Sequence, residues 1–234
     1  MENLSGQNNQ FLDNDNDNDK VDNNNSLING LITIWKNEKF SNDILLYQNS
    51  LISTAIDLVE KTEKELKDSS IEKENSDIIE LDIERMKFLI KDYLRIRIMK
   101  IEKYLFYILK NDLSALLSEN EVELVIKLIN MKSVYFNEGL KNVNQIANNF
   151  RYFTDRFKLM KEKISYLNDA MIVSPSETDF VIIQSITEEN IIINMKDIYD
   201  KYEYDFVQLE KNDICIIPYI AVKDLIKNNK VKLI

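Results

Sequence analysis

The stretch Asp82–Tyr104 constrains this chain more than any other. Ile83, Met86, Ile90, Leu94, Arg97, Ile101, Leu105 and Ile108 follow one another at steps of three or four, the spacing of one buried helical face. One member of that apolar stripe is an arginine. With Tyr93, Leu94 and Ile101 as its helical neighbours, the Arg97 guanidinium must either snorkel to solvent or meet a carboxylate from another element or another chain. The helix is expected from Asp77, where Asp77 and Glu80 form a capping-box-like start, to about Lys110. At roughly 1.5 Å per residue it would be about 50 Å long, longer than a small domain is wide. Part of it is therefore expected to pack against something beyond its own bundle.

The other elements group around this one. Residues 1–25, with alternating Asp and Asn from Asp13 to Asp19, carry too little apolar surface to offset ordering entropy and are expected to be a disordered tail. The alternating acids lack the glycine and glutamate of a calcium loop, Asn18 and Asn24 standing at those positions. A first helix begins near Ser26, with Leu27, Leu31, Ile34 and Trp35 on one side, and a second near Ser41 to Asp43 carries Ile44, Leu45, Leu51, Ile52, Ala55, Ile56, Val59 and Leu66. The charged stretch Lys67 to Asn75 reads as a loop. Ser118-Glu-Asn-Glu121 is a capping box that opens a fourth helix, and Phe150, Phe153, Phe157, Met160 and Ile164 suggest one more between Gly139 and Tyr166.

The pattern changes at 169–178, where Ser174-Pro-Ser176 punctuates the chain and a domain boundary is expected. Short β-branched and aromatic runs follow at 179–183, 190–194, 204–209 and 213–217, then a short helix from Tyr219 to Lys227, a turn at Asn228-Asn229 and a last strand at 231–234. The expected fold is α+β: a helical domain over 26–168 with one very long helix, a linker over 169–178, and a small β-rich domain over 179–234. A domain of about 60 residues buries only about 60% of its unfolded surface, so this one is expected to lean on a neighbour.

Absences narrow the chemistry. No histidine occurs among the 234 residues and Cys215 is the only cysteine, so His-dependent triads, structural zinc sites, Glu-x-x-His di-iron bundles and an internal disulfide are all excluded. Gly6, Gly30 and Gly139 are the whole glycine supply, and neither a Walker loop nor a dinucleotide fingerprint can be written. Thirty basic against 40 acidic residues give a net charge of −10, which provides no electrostatic grip on duplex phosphates and suits a basic partner surface better. There is no apolar run of membrane-spanning length and no signal-peptide pattern, so neither membrane insertion nor secretion is expected.

Three stretches carry a resemblance to a known family. Trp35-Lys-Asn-Glu-Lys-Phe40 ends the first helix; Tyr93, Leu94, Arg95, Arg97, Met99, Lys100, Ile101, Glu102 and Lys103 form a motif on the long helix; Glu189-Asn-Ile191, Leu209-Glu-Lys211 and Val231-Lys-Leu-Ile234 follow in order near the end. Together they resemble the Sld-five-type subunits of the GINS complex of eukaryotic DNA replication, over roughly residues 28 to 234. Residues 141–168 depart from the family's shorter connection, and the Asn/Asp tail is extra. The resemblance implies a non-enzymatic subunit of a four-chain assembly, located in the nucleus and bound with a RecJ-like co-activator to the hexameric MCM motor as the replicative helicase. It implies the other three GINS subunits as partners, contact through the complex with replicative polymerases, no cofactor and no strong direct DNA binding.

On that reading the candidates for partner interfaces are Trp35, Tyr93, Arg95, Arg97, Lys100, Glu102, Val231, Lys232, Leu233 and Ile234. Each has a plainer reading. Arg97 either anchors an interface or pairs inside the helical domain, for instance with Glu84, Glu102 or a glutamate of the second helix. Arg95 pairs most simply with Asp92 three residues earlier, Lys100 and Lys103 fit a solvated face, and Cys215 fits a buried apolar strand. With carboxylate, lysine or tyrosine chemistry left, carboxylate pairs such as Glu119 with Glu123, or Asp77 with Glu80, are material for glycosidase-type catalysis or magnesium binding, and helix starts account for them. The alternative to a replication subunit is a helical scaffold or adaptor of another assembly, which would extend heptads past the third helix and leaves the β module unexplained.

Overall fold

The computed structural model describes residues 15–68, 73–139, 172–194 and 206–234. Helices α1 (Asp15–Phe40), α2 (Asn49–Asp68) and α3 (Lys73–Lys103) are followed by a short α4 (Leu105–Lys110), a 3-10 turn (Leu113–Leu116) and α5 (Glu119–Gly139). Beyond the segment 140–171 come strands β1 (Phe180–Ser185), β2 (Ile191–Asn194), β3 (Phe206–Leu209) and β4 (Ile214–Pro218), helix α6 (Tyr219–Lys227) and strand β5 (Val231–Leu233). The expected order of a helical part followed by a small β-rich part is the one observed. The helix expected between Gly139 and Tyr166 lies outside the described residues.

The stripe on α3 serves two cores in succession. Its N-terminal half sets Ile83, Met86, Ile90 and Tyr93 against Leu31 of α1 and Ile52, Ala55 and Val59 of α2. Beyond Arg97 the same face continues as Ile101, Leu105, Ile108 and Leu109 against Val122, Val125, Ile126 and Ile129 of α5. A glycine in a helix interior costs roughly 1 kcal/mol relative to alanine, and Gly30 shows why one is kept. A Cβ there would stand 3.0 Å from Leu51 Cδ1, so α1 and α2 approach closely at the one residue without a side chain.

In the β domain, β1 is the central strand of an antiparallel sheet of order β4-β1-β5, and β2 and β3 form a separate antiparallel pair. Alternation sorts the strand residues. Val181 and Ile183 point inward with Ile217, Val231 and Leu233, and α6 covers them with Tyr219, Val222 and Ile226. Two asparagines take the left-handed backbone that their side chains tolerate: Asn212 (φ 68°) before β4 and Asn229 (φ 54°) in the expected turn before β5. Pro218, which has no N–H to lose, caps the start of α6.

Four boundaries differ from the pattern-based expectation. Helix α1 starts at Asp15, well inside the stretch expected to be tail, whose residues 1–14 lie outside the described residues. Residues 41–48 are not the start of α2 but an extended connection, because their carbonyls are taken by cations of α3. Helix α3 begins at Lys73, which puts Asp77 and Glu80 in its body instead of at its cap. It ends at Lys103, giving 31 residues, and Tyr104 forms a loosened joint to α4 across which the Tyr104 N–H to Lys100 C=O and Ile108 N–H to Tyr104 C=O bonds persist.

The last strand is integral to the sheet. Val231 and Leu233 are fully buried, β5 pairs with β1, and the Leu233 N–H donates to Asn37 Oδ1 of α1 at 2.8 Å. Leu233→Ala is expected to cost about 2–5 kcal/mol, the usual range for a buried Leu truncated to Ala. Urea unfolding followed by intrinsic fluorescence measures it, and a loss below ~1 kcal/mol would contradict this packing.

Candidate functional site: a buried arginine hub and an apolar helix groove

The stripe on α3 turns Arg97 inward, and the surrounding elements satisfy it completely. Its Nε–H donates to Glu121 Oε1 at 2.7 Å and one Nη2–H to Glu121 Oε2 at 3.0 Å, a two-pronged guanidinium–carboxylate pair. The remaining donors reach Glu38 Oε2 at 3.0 Å and the carbonyls of Leu45 at 2.8 Å and Leu116 at 3.0 Å. All five N–H groups are thus used inside this chain, with none left over for a partner. The rings of Tyr47 and Tyr93 stand 5.2 and 5.7 Å from the guanidinium carbon, within cation–π range.

Each acceptor is itself held. Glu121 belongs to the expected capping box: its Oε2 accepts the Ser118 N–H at 2.8 Å while Ser118 Oγ accepts the Glu121 N–H at 3.3 Å. One glutamate therefore starts α5 and neutralises Arg97. Glu38, in the last turn of α1, is shared, its other oxygen accepting from Lys100 Nζ at 3.0 Å. Lys100 also donates to Ser41 Oγ at 2.7 Å, to the Asp43 carbonyl at 2.8 Å and to the Glu38 carbonyl.

The electrostatics follow this arrangement. Burial pulls the Arg97 pKa down, but its hydrogen bond to Glu121 and the charge of Glu38 outweigh that, leaving it raised. For Lys100 burial wins against Glu38, and its pKa is lowered. Burial pushes the Tyr93 hydroxyl up to about 12, against the opposing charge of Arg97.

The interface candidates separate into two groups. Tyr93, Arg97, Val231 and Leu233 are buried within the chain, and Lys100 exposes only 11% of its side chain. Arg95 and Glu102 are exposed, and Lys232 and Ile234 are half-buried. Trp35 is also half-buried; its Nε1–H donates to Asp92 Oδ2 at 2.8 Å, so the carboxylate expected to pair with Arg95 serves the indole. Lys39 Nζ stands 4.6 Å over the same ring. Pattern reading missed Glu38 and Glu121 as the partners of Arg97, although one lies in the Trp35–Phe40 stretch and the other in the capping box. It also missed Asn37 and Asp43, for which no local pattern exists.

A second apolar row lies on the outside of α3. Ile78, Leu81 and Phe88 recur at helical spacing and are 62%, 52% and 61% exposed, and Met99 continues the row at 62%. With Ile32 and Trp35 of α1 and Leu89 of α3, Leu81 and Phe88 line an open groove flanked by Glu84 and Arg85. The outer face of the sheet is apolar too: Phe180 and Ile182 of β1 lie beside Ile214 and Ile216 of β4, and all four are exposed. Contiguous apolar surface of this kind is a candidate docking surface. Among the described residues no group of three His, Cys, Asp or Glu could hold a metal ion, and no helix is long and apolar enough to cross a membrane.

Comparison with known proteins agrees with this geometry. Residues 60–139 match the family described as the GINS complex protein helical bundle domain, and residues 175–234 match the DNA replication complex GINS protein SLD5 C-terminus. The SLD5 protein of Arabidopsis thaliana is 27% identical over 86% of this chain and 87% of its own length. That of Schizosaccharomyces pombe is 26% identical over 87% and 90%, and that of Homo sapiens 24% identical over 89% of both.

Removing one member of a buried ion pair typically costs about 3–5 kcal/mol, because the other is left charged and unpaired. Arg97→Met is expected to lose that much stability, and Arg97→Glu, which sets a third carboxylate between Glu38 and Glu121, more. Urea midpoints of the purified variants check this, and near-neutral values would mean that the guanidinium is solvated.

Proposed function

This chain belongs to the SLD5 family of GINS DNA-replication proteins, and on that premise we propose that it is a non-catalytic structural subunit of a heterotetramer formed with the other three GINS subunits. The assembly acts in the nucleus as part of the replicative helicase, together with the hexameric MCM motor and a RecJ-like co-activator, and through it this chain contributes to initiation and fork progression and to contact with replicative polymerases. The observation that carries this reading is the apolar groove between α1 and α3. A chain that satisfies its one buried arginine internally, yet leaves Leu81 and Phe88 more than half exposed beside Trp35, has a surface built for a helix of another protein. The apolar sheet face at the other end of the chain supplies a second such surface.

The charge balance supports a role in holding, not in gripping DNA. At a net charge of −10 the chain repels duplex phosphates overall, so contact with the fork is through its partners. The groove offers catalysis no foothold either: its only charged side chains are Glu84 and Arg85, flanking an apolar floor.

Co-expression with the other three GINS subunits is expected to give a soluble complex with one copy of each chain by native mass spectrometry, whereas this chain alone self-associates. A stable monomer indifferent to those subunits would overturn the assignment. Phe88→Glu changes an exposed side chain and should leave the fold intact while weakening assembly at least tenfold in a pull-down titration. Unchanged assembly would move the interface away from the groove.

A further inference from the structure

Among the described residues, the side-chain hydrogen bonds and ion pairs between the helical and β domains come from one short piece of chain, residues 37–43. Asn42 Nδ2 donates to the Ser176 carbonyl at 2.7 Å, and Asn37 Oδ1 accepts from the Leu233 N–H at 2.8 Å. Asp43 makes the densest contact: one carboxylate oxygen accepts from the Tyr219 hydroxyl, and the other lies 2.9 Å from Lys223 Nζ, which also meets Glu177 at 2.9 Å. Tyr219 is fully buried, so its hydroxyl has been taken out of water to make this bond.

The connection is extended, and successive residues face opposite ways. Ile44 packs into the core of α3, α4 and α5, while Leu45 packs against the core of the β domain. Asp43 divides its own atoms in the same manner. Its carboxylate goes to the β domain, whereas its carbonyl accepts from Lys100 Nζ and from Ser41 Oγ. Lys100 thus has four acceptors around one ammonium group, the Glu38 carboxylate and carbonyl, Ser41 Oγ and the Asp43 carbonyl, all between residues 38 and 43.

We propose that Lys100 is a positioning residue for the β domain: from within α3 it holds the Glu38–Asp43 turn, and so aims the Asp43 carboxylate at Tyr219 and Lys223. The pose of the β domain is then set by a side chain whose four acceptors all lie in the helical domain. On this reading the described parts of the two domains form one unit, in which the α1/α3 groove and the apolar sheet face keep a fixed relation before any partner arrives. That last consequence for assembly rests on the GINS reading; the positioning itself does not.

The test uses the full chain without partners, so that its failure and the failure of the GINS reading are separable. Spin labels are placed at Glu60→Cys and Lys227→Cys, both exposed, in a Cys215→Ser background, and the interdomain distance is measured by pulsed electron resonance at low micromolar concentration in an excess of unlabelled Cys215→Ser chain, which removes distances between copies if the chain self-associates. A control pair at Glu60→Cys and Lys127→Cys lies within the helical domain. The expected result is one narrow interdomain distribution, which Lys100→Met broadens at least twofold while the control pair is unchanged. Tyr219→Phe, which removes only a hydroxyl, broadens the interdomain distribution in the same direction. A Lys100→Met chain with an unaltered interdomain distribution would overturn the proposal. Equal broadening of the control pair would also overturn it, by showing that Lys100 merely holds the bundle together.

Discussion

The bonding of Arg97 is the constraint on which the rest of the fold depends. A buried guanidinium left short of acceptors would cost several kcal/mol, and its five N–H groups radiate in one plane, so the acceptors must arrive together and in register. They come from the end of α1, the connection to α2, the 3-10 turn and the first turn of α5. A shift of any of these by one turn would strand a charge. The pair of Arg97 with its glutamates need not add net stability over an apolar replacement. Its effect is selective, since it raises the free energy of alternative packings that the apolar stripe alone would tolerate.

This division of labour explains which parts of the fold were legible in the sequence. Periodicity records burial, so the stripe on α3, the alternating strands and α6 could be read from local pattern. Local chemistry records caps and turns, and the Ser118–Glu121 box and the Asn228-Asn229 turn are where it placed them. What stayed hidden was decided by contacts between distant residues. Ser41, Asn42 and Asp43 are good helix-capping residues and read as the start of α2, yet their polar atoms are spent on Lys100, Ser176, Tyr219 and Lys223. Arg97 advertised that carboxylates were needed, but nothing local could say that Glu38 and Glu121 would supply them from 59 and 24 residues away.

The stretches that carry the family resemblance turn out to meet in space. Asn37 and Glu38 from the Trp35–Phe40 stretch bond to Leu233 of the last strand and to Arg97 and Lys100 of the α3 motif. These polar residues therefore act on one another within the chain. Trp35 is the exception that looks both ways, with its N–H held by Asp92 and its ring forming part of the open groove.

That arrangement separates two kinds of surface, and the separation is what a scaffold needs. The interior of the chain is specified by polar contacts, which are directional and tolerate little displacement. Its outward faces are apolar and bear few obligations: Leu81, Phe88, Phe180, Ile182, Ile214 and Ile216 gain nothing where they stand. Apolar surface is non-directional, and covering it releases roughly 25 cal/mol per Å² against the costs of association, whatever the shape that covers it. Geometry must then come from elsewhere, and on the proposal made for Lys100 it comes from the buried contacts through Asp43 that tie the helices carrying one face to the domain carrying the other. On the proposed reading, a subunit made this way would contribute orientation from its core and adhesion from its surface.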